Sequence, residues 1–330
     1  MSELRQDPVT RDWVIINPER GKRPHDTPAA SPECPFCPGH EPKTPETIDD
    51  LVDQNGRWLV RVVPNKYPAL RASLEGELRY EQSAAGWYRL AGYGRHEVLI
   101  ETREHDTTLG LMPVAQARRV LEMYLRRYRA LAESDGRLRQ IVVFRNHGTR
   151  AGTSLTHPHS QIIATPAVSP EMRRHMTDEI AFFDEHGRCG LCHILEHEGA
   201  TAERVVLVSP CFTTLAPYAS RNPYQLQIIP RHHCPTFGEA TDAELDDLAS
   251  HLTRVLAALH RHLGDPDYNL VVSTPPLDLV HRGANHWFIE ILPRLTTPAG
   301  FELGSRIVVN IQPPEQAATE LRAALSAGVM

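Results

Sequence analysis

Three absences narrow what this chain of 330 residues can be. No apolar run approaches the roughly 20 residues that a membrane-spanning helix needs, and Met1-Ser-Glu-Leu-Arg-Gln-Asp7 has no apolar core of a secretory leader. The expectation is a cytoplasmic protein that does not engage a membrane. Excess basic charge is missing too: a formal net charge of −6 argues against a nucleic-acid-binding surface of the usual kind. Cysteine is scarce, with 6 in all, too few for a disulfide framework in a chain of this size. Four of them nevertheless stand in two Cys-x-x-Cys pairs, Cys34/Cys37 and Cys189/Cys192, which in a reducing compartment read as metal ligands or a redox pair.

What is present in quantity is proline, 27 residues, and histidine, 18. The run Thr156-His-Pro-His-Ser-Gln161, followed by Ile162-Ile-Ala164, concentrates the second. Alternate residues of a strand share a face, so a strand here lines up His157, His159 and Gln161. Two imidazoles and an amide donor suit a metal ligand, a nucleophile and a phosphate-binding group. Pro158 has no N–H and confines the strand to an edge or starts it there.

Periodicity predicts the surrounding elements. Trp58–Val63, Gly86–Leu90, His96–Glu101 and Gln140–Phe144 read as strands, and Pro113 to Glu133 as an amphipathic helix. A charged helical connector runs from Ala167 to Gly187. Strands follow at Val205–Val208, Gln225–Ile229, Tyr268–Ser273 and His286–Leu292, with a long helix opening at Thr241, where Glu244 completes a capping box. The second series repeats the first: Cys-x-x-Cys, strand, strand ending in histidine, long helix, strand, glycine loop, histidine strand. His105 and His233 lie 128 positions apart, and His157 and His286 lie 129 apart. A period this long indicates duplication rather than a solenoid. Each half then offers two cysteines and two histidines: Cys34, Cys37, His105 and His157, then Cys189, Cys192, His233 and His286. Four such ligands make a closed structural site, with zinc favoured by the sulfur and imidazole mixture. Cys211 and Cys234 have no repeat partner and read as plain thiols.

The same comparison isolates His159. His157 aligns with His286, whereas His159 meets Phe288 and Gln161 meets Glu290. A structural residue would be kept in both copies, so His159 is the candidate for chemistry.

Taken together, Asp7-Pro-Val-Thr10, Arg20-Gly-Lys-Arg-Pro24, Cys34-Pro-Phe-Cys37, Val63-Pro-Asn-Lys-Tyr67, Gly94-Arg-His-Glu-Val98, His157-Pro-His-Ser-Gln161 and Gly300-Phe-Glu-Leu-Gly304 resemble the galactose-1-phosphate uridylyltransferase family of the histidine-triad superfamily. The resemblance covers nearly the whole chain. It implies an α+β fold of two tandem histidine-triad-like domains, each an antiparallel sheet packed with a long helix. Residues 1–170 would be the catalytic domain and residues 171–330 a copy with a degenerate site. It also implies ping-pong nucleotidyl transfer. His159 would attack the α-phosphorus of a nucleotide sugar, and the nucleotidyl-histidine would then react with a second sugar 1-phosphate. Gln161 stands where hydrolases of the superfamily carry a third histidine, which favours transfer. By resemblance Ser154, Arg20 and Arg23 contact phosphates, Asn65 and Asn146 the nucleotide, and Glu302 and Asn310 the sugar. The metals would be two structural zinc ions, and the protein a homodimer.

The chain departs from the best-known branch, which holds iron partly through a His-x-His absent from Trp287-Phe-Ile-Glu-Ile-Leu-Pro293. Its second cysteine pair and Ser160 resemble instead a branch with two zincs that includes proteins using ADP-glucose. Arg306 replaces a glycine of that branch near the sugar region. The expected function is uridylyl transfer between UDP-glucose and galactose 1-phosphate. The alternative is an adenylyltransferase or phosphorylase acting on ADP-glucose, or a transferase for a specialised sugar phosphate. The remote one is a zinc-stabilised binding protein without activity, which the retention of His159 with Gln161 argues against.

Overall fold

A computed structural model describes residues 2–7, 13–17, 34–72, 81–82 and 87–327. The basic loop with Arg20 and Arg23 lies outside the described residues. In the first half the strands are β1 (Glu3–Gln6), β2 (Trp13–Ile16), β3 (Asp49–Val52), β4 (Trp58–Pro64), β5 (Glu81–Gln82), β6 (Tyr88–Ala91), β7 (Arg95–Ile100), β8 (Gln140–His147) and β9 (His159–Thr165). Helix α1 (Val114–Ser134) lies between β7 and β8. The second half runs α2 (Pro170–His186), α3 (Gly190–Thr201), β10 (Val205–Val208), β11 (Phe212–Leu215), β12 (Leu226–Pro230), α4 (Asp242–Leu263), β13 (Tyr268–Ser273), β14 (Phe288–Pro293), α5 (Gly300–Ser305) and α6 (Pro314–Ala327). None of the described helices is long and apolar enough to cross a membrane.

Four strands form a small sheet in the order β2-β1-β6-β5. The other ten make one sheet, β10-β11-β12-β14-β13-β8-β9-β7-β4-β3. Read outward from its middle, the sheet runs β8-β9-β7-β4-β3 one way and β13-β14-β12-β11-β10 the other, so the repeat in sequence is a repeat in strand order. Antiparallel pairing of β8 with β13, Phe144 opposite Val271, joins the two series edge to edge. The fold is α+β, as expected.

Both long helices form for local reasons. Thr241 and Glu244 close the capping box at the start of α4, and Gly264 ends it in the left-handed conformation. Leu245, Leu248, Leu252, Leu256 and Leu259 fall on one stripe and are buried. At about 1.5–3 kcal/mol per buried side chain, that stripe holds the helix far more firmly than propensity does. Helix α1 buries Val120, Leu121 and Tyr124 in the same core, and Arg118 bridges it to Asp242 and Asp246 of α4.

Two differences from the sequence reading bear on the site. The histidine strand starts at His159, after Pro158, so His157 lies before the strand rather than within it. Lacking an N–H, Pro158 cannot join the ladder, yet β9 is an inner strand and the proline therefore sits at its entry. His286 likewise precedes β14. Strands β3 and β11 and helices α5 and α6 are not among the elements expected from the sequence.

Candidate active site

The Cys34–Cys37 turn closes with a backbone bond from Cys37 N–H to the Cys34 carbonyl at 3.3 Å. His40 Nδ1–H donates to that carbonyl at 2.7 Å. The turn brings both sulfurs to His105, just past β7, and His157, just before β9. One ligand atom from each of the four lies within 4.8 Å of all the others. Cys37 Sγ is 3.3 Å from His105 Nδ1 and 3.6 Å from His157 Nδ1, and the two Nδ1 atoms are 3.3 Å apart. Ligands bonded tetrahedrally at zinc distances would be separated by about 3.3–3.8 Å, so the set fits that ion. His157 Nε2–H donates to the Thr102 carbonyl at 2.9 Å, which leaves Nδ1 as the ligating nitrogen. Burial pushes the His157 imidazole down to about 4, so it is a neutral donor. Burial, with Cys34 beside it, pushes the Cys37 thiol up to about 11. A cation would offset that cost of ionisation.

Cys189, Cys192, His233 and His286 form the second set within the same 4.8 Å limit. Cys192 Sγ is 3.5 Å from both His233 Nδ1 and His286 Nδ1, and Cys189 Sγ is 3.8 Å from His286 Nδ1. His233 Nε2–H donates to the Arg282 carbonyl at 2.6 Å. Both predicted quartets are therefore assembled, each as a group that could hold a metal ion.

Strand β9 lies between β7 and β8, with Gln161 opposite Val98 and Phe144. His159 Nδ1–H donates to the His157 carbonyl at 2.8 Å. Phe36, from the cysteine turn, packs edge-on against His159 with ring centroids 5.4 Å apart. Two clefts meet at this histidine. One, of about 430 Å³, is bordered by Arg145, Asn146, His147 and Gly148 from the end of β8 and by Asp265 and Asp267 from the second half. The other, of about 450 Å³, has an apolar wall of Pro35, Phe36, Pro42, Val63 and Leu155 and polar groups from Lys43, Asn65, Lys66 and Gln161. Ser154, Leu155 and His159 line both.

His159 and Ser154 thus border both clefts, Asn146 borders the first, and Asn65 and Gln161 border the second. Glu302 and Asn310 do not line either cleft. The Glu302 carboxylate accepts from the backbone N–H groups of Ala299 and Val309 at 2.7 and 3.1 Å. Asn310 donates to the carbonyls of Ser220 and Asn222 at 3.0 and 3.3 Å.

Sequence reasoning missed the polar assembly behind β9. Ser160, on the face opposite His159, donates to Glu101 and accepts from Tyr124. Arg145 Nε donates to both Glu101 carboxylate oxygens at 3.0 and 3.1 Å, and Arg145 Nη1 donates to the Tyr268 hydroxyl of β13 at 3.0 Å. Glu101, Arg145 and Ser160 are all buried. Burial pushes the Tyr124 phenol well above its ordinary range, so it stays a donor. The available signal was a charged residue inside, or at the end of, an apolar strand, as with Arg145 in β8.

Known proteins resemble this chain along nearly its whole length. The family profile described as galactose-1-phosphate uridyl transferase, N-terminal domain, matches residues 1–169. The chain is 34% identical to an ADP-glucose phosphorylase of Arabidopsis thaliana, over 97% of this chain and 92% of that one. It is 30% identical to a galactose-1-phosphate uridylyltransferase of Thermotoga maritima, over 98% of each. A crystal structure of an Arabidopsis thaliana ADP-glucose phosphorylase with bound ADP-glucose superposes with a TM-score of 0.78, covering 98% of this chain and 99% of that one at 34% identity.

Proposed function

Because this chain belongs to the galactose-1-phosphate uridylyltransferase family, we propose that it transfers a nucleoside monophosphate from a nucleotide sugar by way of His159. The observation that carries this reading is the 2.8 Å bond from His159 Nδ1–H to the His157 carbonyl, at the junction of two clefts. With Nδ1 protonated, the Nε2 lone pair is the nucleophile. Nε2 attacks the α-phosphorus, the N–P bond forms, and the bond to the bridging oxygen breaks with its electrons leaving on the sugar 1-phosphate. The imidazole then carries positive charge, which the carbonyl on Nδ1–H stabilises. In the second half-reaction an oxygen of the acceptor phosphate attacks phosphorus and the N–P bond breaks, restoring neutral His159. Gln161 donates its amide to a non-bridging oxygen as charge builds there. Ser154, shared by both clefts, serves the phosphates, while Asn65 and Asn146 serve the nucleotide.

Zinc held by Cys34, Cys37, His105 and His157 would supply rigidity, since four protein ligands leave no open position for substrate. That rigidity acts through His157, whose carbonyl aims the nucleophile. The second quartet would hold a like ion in the half 171–330, where Phe288 and Glu290 replace the reactive pair; the division into a catalytic half 1–170 and this copy is part of the proposal. Thiols held as metal ligands suit the cytoplasm. Homodimer formation belongs here too, with exposed Phe301, Leu303, Ile307, Val309 and Ile311 as the apolar surface a second copy would cover.

Two donors fit. Uridylyl transfer from UDP-glucose to galactose 1-phosphate is the reading expected from the sequence. Phosphorolysis or adenylyl transfer with ADP-glucose is supported by the similarity to ADP-glucose phosphorylase along 97% of this chain and by the second cysteine–histidine quartet. Incubation with UDP-glucose and ADP-glucose, each labelled in the α-phosphate, separates them. Label on His159 from one donor names the base, and acceptor trials with galactose 1-phosphate and inorganic phosphate name the second substrate. Absence of label from both would sink the transfer reading.

A further inference from the structure

The role given to Gln161 needs its amide nitrogen, not its oxygen, to face the phosphoryl group, so its side chain works in only one of two orientations. We propose that His96 is the positioning residue that fixes this orientation, presenting the Gln161 amide nitrogen to the reacting phosphoryl group. The inference rests on the role assigned to Gln161 in the transfer.

The ring's proton can be placed from its neighbours. The backbone N–H of Ala69 donates to His96 Nδ1 at 2.9 Å. A backbone amide nitrogen donates and does not accept, so Nδ1 is bare and the proton is on Nε2. Nε2–H in turn donates to Gln161 Oε1 at 2.8 Å. Asn65 Nδ2 lies 3.1 Å from His96 Nε2 and 3.5 Å from Gln161 Oε1, while its own Oδ1 accepts from Tyr67 N–H at 2.8 Å. With Nδ1 already accepting from Ala69, the Nε2 proton points to Gln161 and the Asn65 amide donates to that same oxygen. Exchanging the oxygen and nitrogen of Gln161 would set N–H against N–H. The amide nitrogen therefore faces away from His96, on a residue that borders the cleft beside His159. His96 is 5% exposed, so its bond to Gln161 is shielded from bulk water.

The second half repeats the contact without the chemistry. Gln225 and Glu290 lie 129 positions beyond His96 and Gln161. Gln225 Nε2–H donates to Glu290 Oε1 at 2.6 Å, and Gln225 Oε1 accepts from the backbone N–H of Arg221 at 2.6 Å. In both halves, then, a backbone N–H pins the acceptor of the first side chain, whose N–H pins an oxygen of the second. Only in the first half does the pinned residue have an amide nitrogen to present.

The test compares His96→Leu with His96→Gln, each alone and combined with Gln161→Ala, using whichever donor labels the protein. His96→Leu should lower kcat about 10- to 100-fold with KM held within about threefold. His96→Gln, which copies Gln225, should recover kcat to within about fivefold of the parent. In the Gln161→Ala background His96→Leu should add no further loss. Nitrogen-15 NMR of the unaltered protein should find His96 as the Nε2–H tautomer, a readout independent of variant folding. Full activity in His96→Leu, equal losses in the Leu and Gln variants, additive losses in the double variant, or an Nδ1–H tautomer would each overturn the proposal. An unchanged kcat in Gln161→Ala alone would refute the parent role of Gln161 and, with it, the purpose assigned to His96.

Discussion

His159 Nδ1 lies 2.8 Å from the carbonyl oxygen of His157, so the candidate nucleophile is oriented by the backbone of a candidate metal ligand. The two neighbours face different surroundings: one imidazole belongs to a quartet that could hold a metal ion, and the other stands where the two clefts meet.

Replacing His159 with glycine should abolish covalent labelling and lower sugar exchange by about 10³-fold or more. Its fold and metal content should be untouched, because neither quartet includes His159. Circular dichroism and metal analysis on the same preparation check this; loss of metal from that variant would count against the division of roles.

Metal analysis of the purified protein should find two zinc ions per chain. Cys37→Ser should leave one, lower the melting temperature and reduce exchange through His157, while Cys192→Ser should leave the other with exchange largely kept. A chelator that strips both should lower stability further. One zinc in the unaltered protein, or iron, would refute the two-zinc assignment.

Glu101 and Arg145 form an ion pair with side chains 0% and 2% exposed. Glu101→Gln would leave the Arg145 guanidinium buried without its counter-charge, at a cost of about 3–5 kcal/mol. Ser160→Ala removes one hydroxyl from the same assembly and should cost only about 1–2 kcal/mol. Urea unfolding of both variants measures the difference, and equal costs would contradict the arrangement.

His251 of α4 is buried between Thr214, whose hydroxyl lies 2.6 Å from Nε2, and Ser209, 2.7 Å from Nδ1. Burial pushes its imidazole down to about 4 from an ordinary 6.5, against Asp247, which favours the charged form, and with Arg254, which opposes it. The unfolded chain therefore takes up a proton at higher pH than the folded one. The stability linked to this group is whole above about pH 6.5 and is lost as pH falls toward 4, roughly 2–3 kcal/mol of it by pH 4.5. His251→Gln does not titrate, so its stability difference from the parent should change by that amount between pH 7.5 and 4.5. A constant difference across that range would show that His251 is not held neutral.

Much of the site was legible because its logic is local or repeated. Cys34 and Cys37 are three apart, His157, His159 and Gln161 alternate, and the second half repeats the quartet but not His159. Spacing and comparison expose such relations without coordinates. The family resemblance added roles for Asn65, Asn146 and Ser154, and the fold brings all three to the clefts. It also pointed to Glu302 and Asn310, whose side chains bond to the backbone at the start of α5 and near residue 220.

By itself, then, the sequence determined the duplication, both cysteine–histidine quartets and the singularity of His159, since each is written in spacings that local geometry must obey. Tertiary structure alone decided that the two halves share one ten-stranded sheet, that the histidine strand begins at His159 with His157 outside it, and that His96 meets Gln161 across 65 positions of chain. It also placed Glu101 and Arg145 together behind Ser160. Contacts of that kind are set by strand register and by the need to satisfy buried polar groups, and neither leaves a periodic trace in the chain.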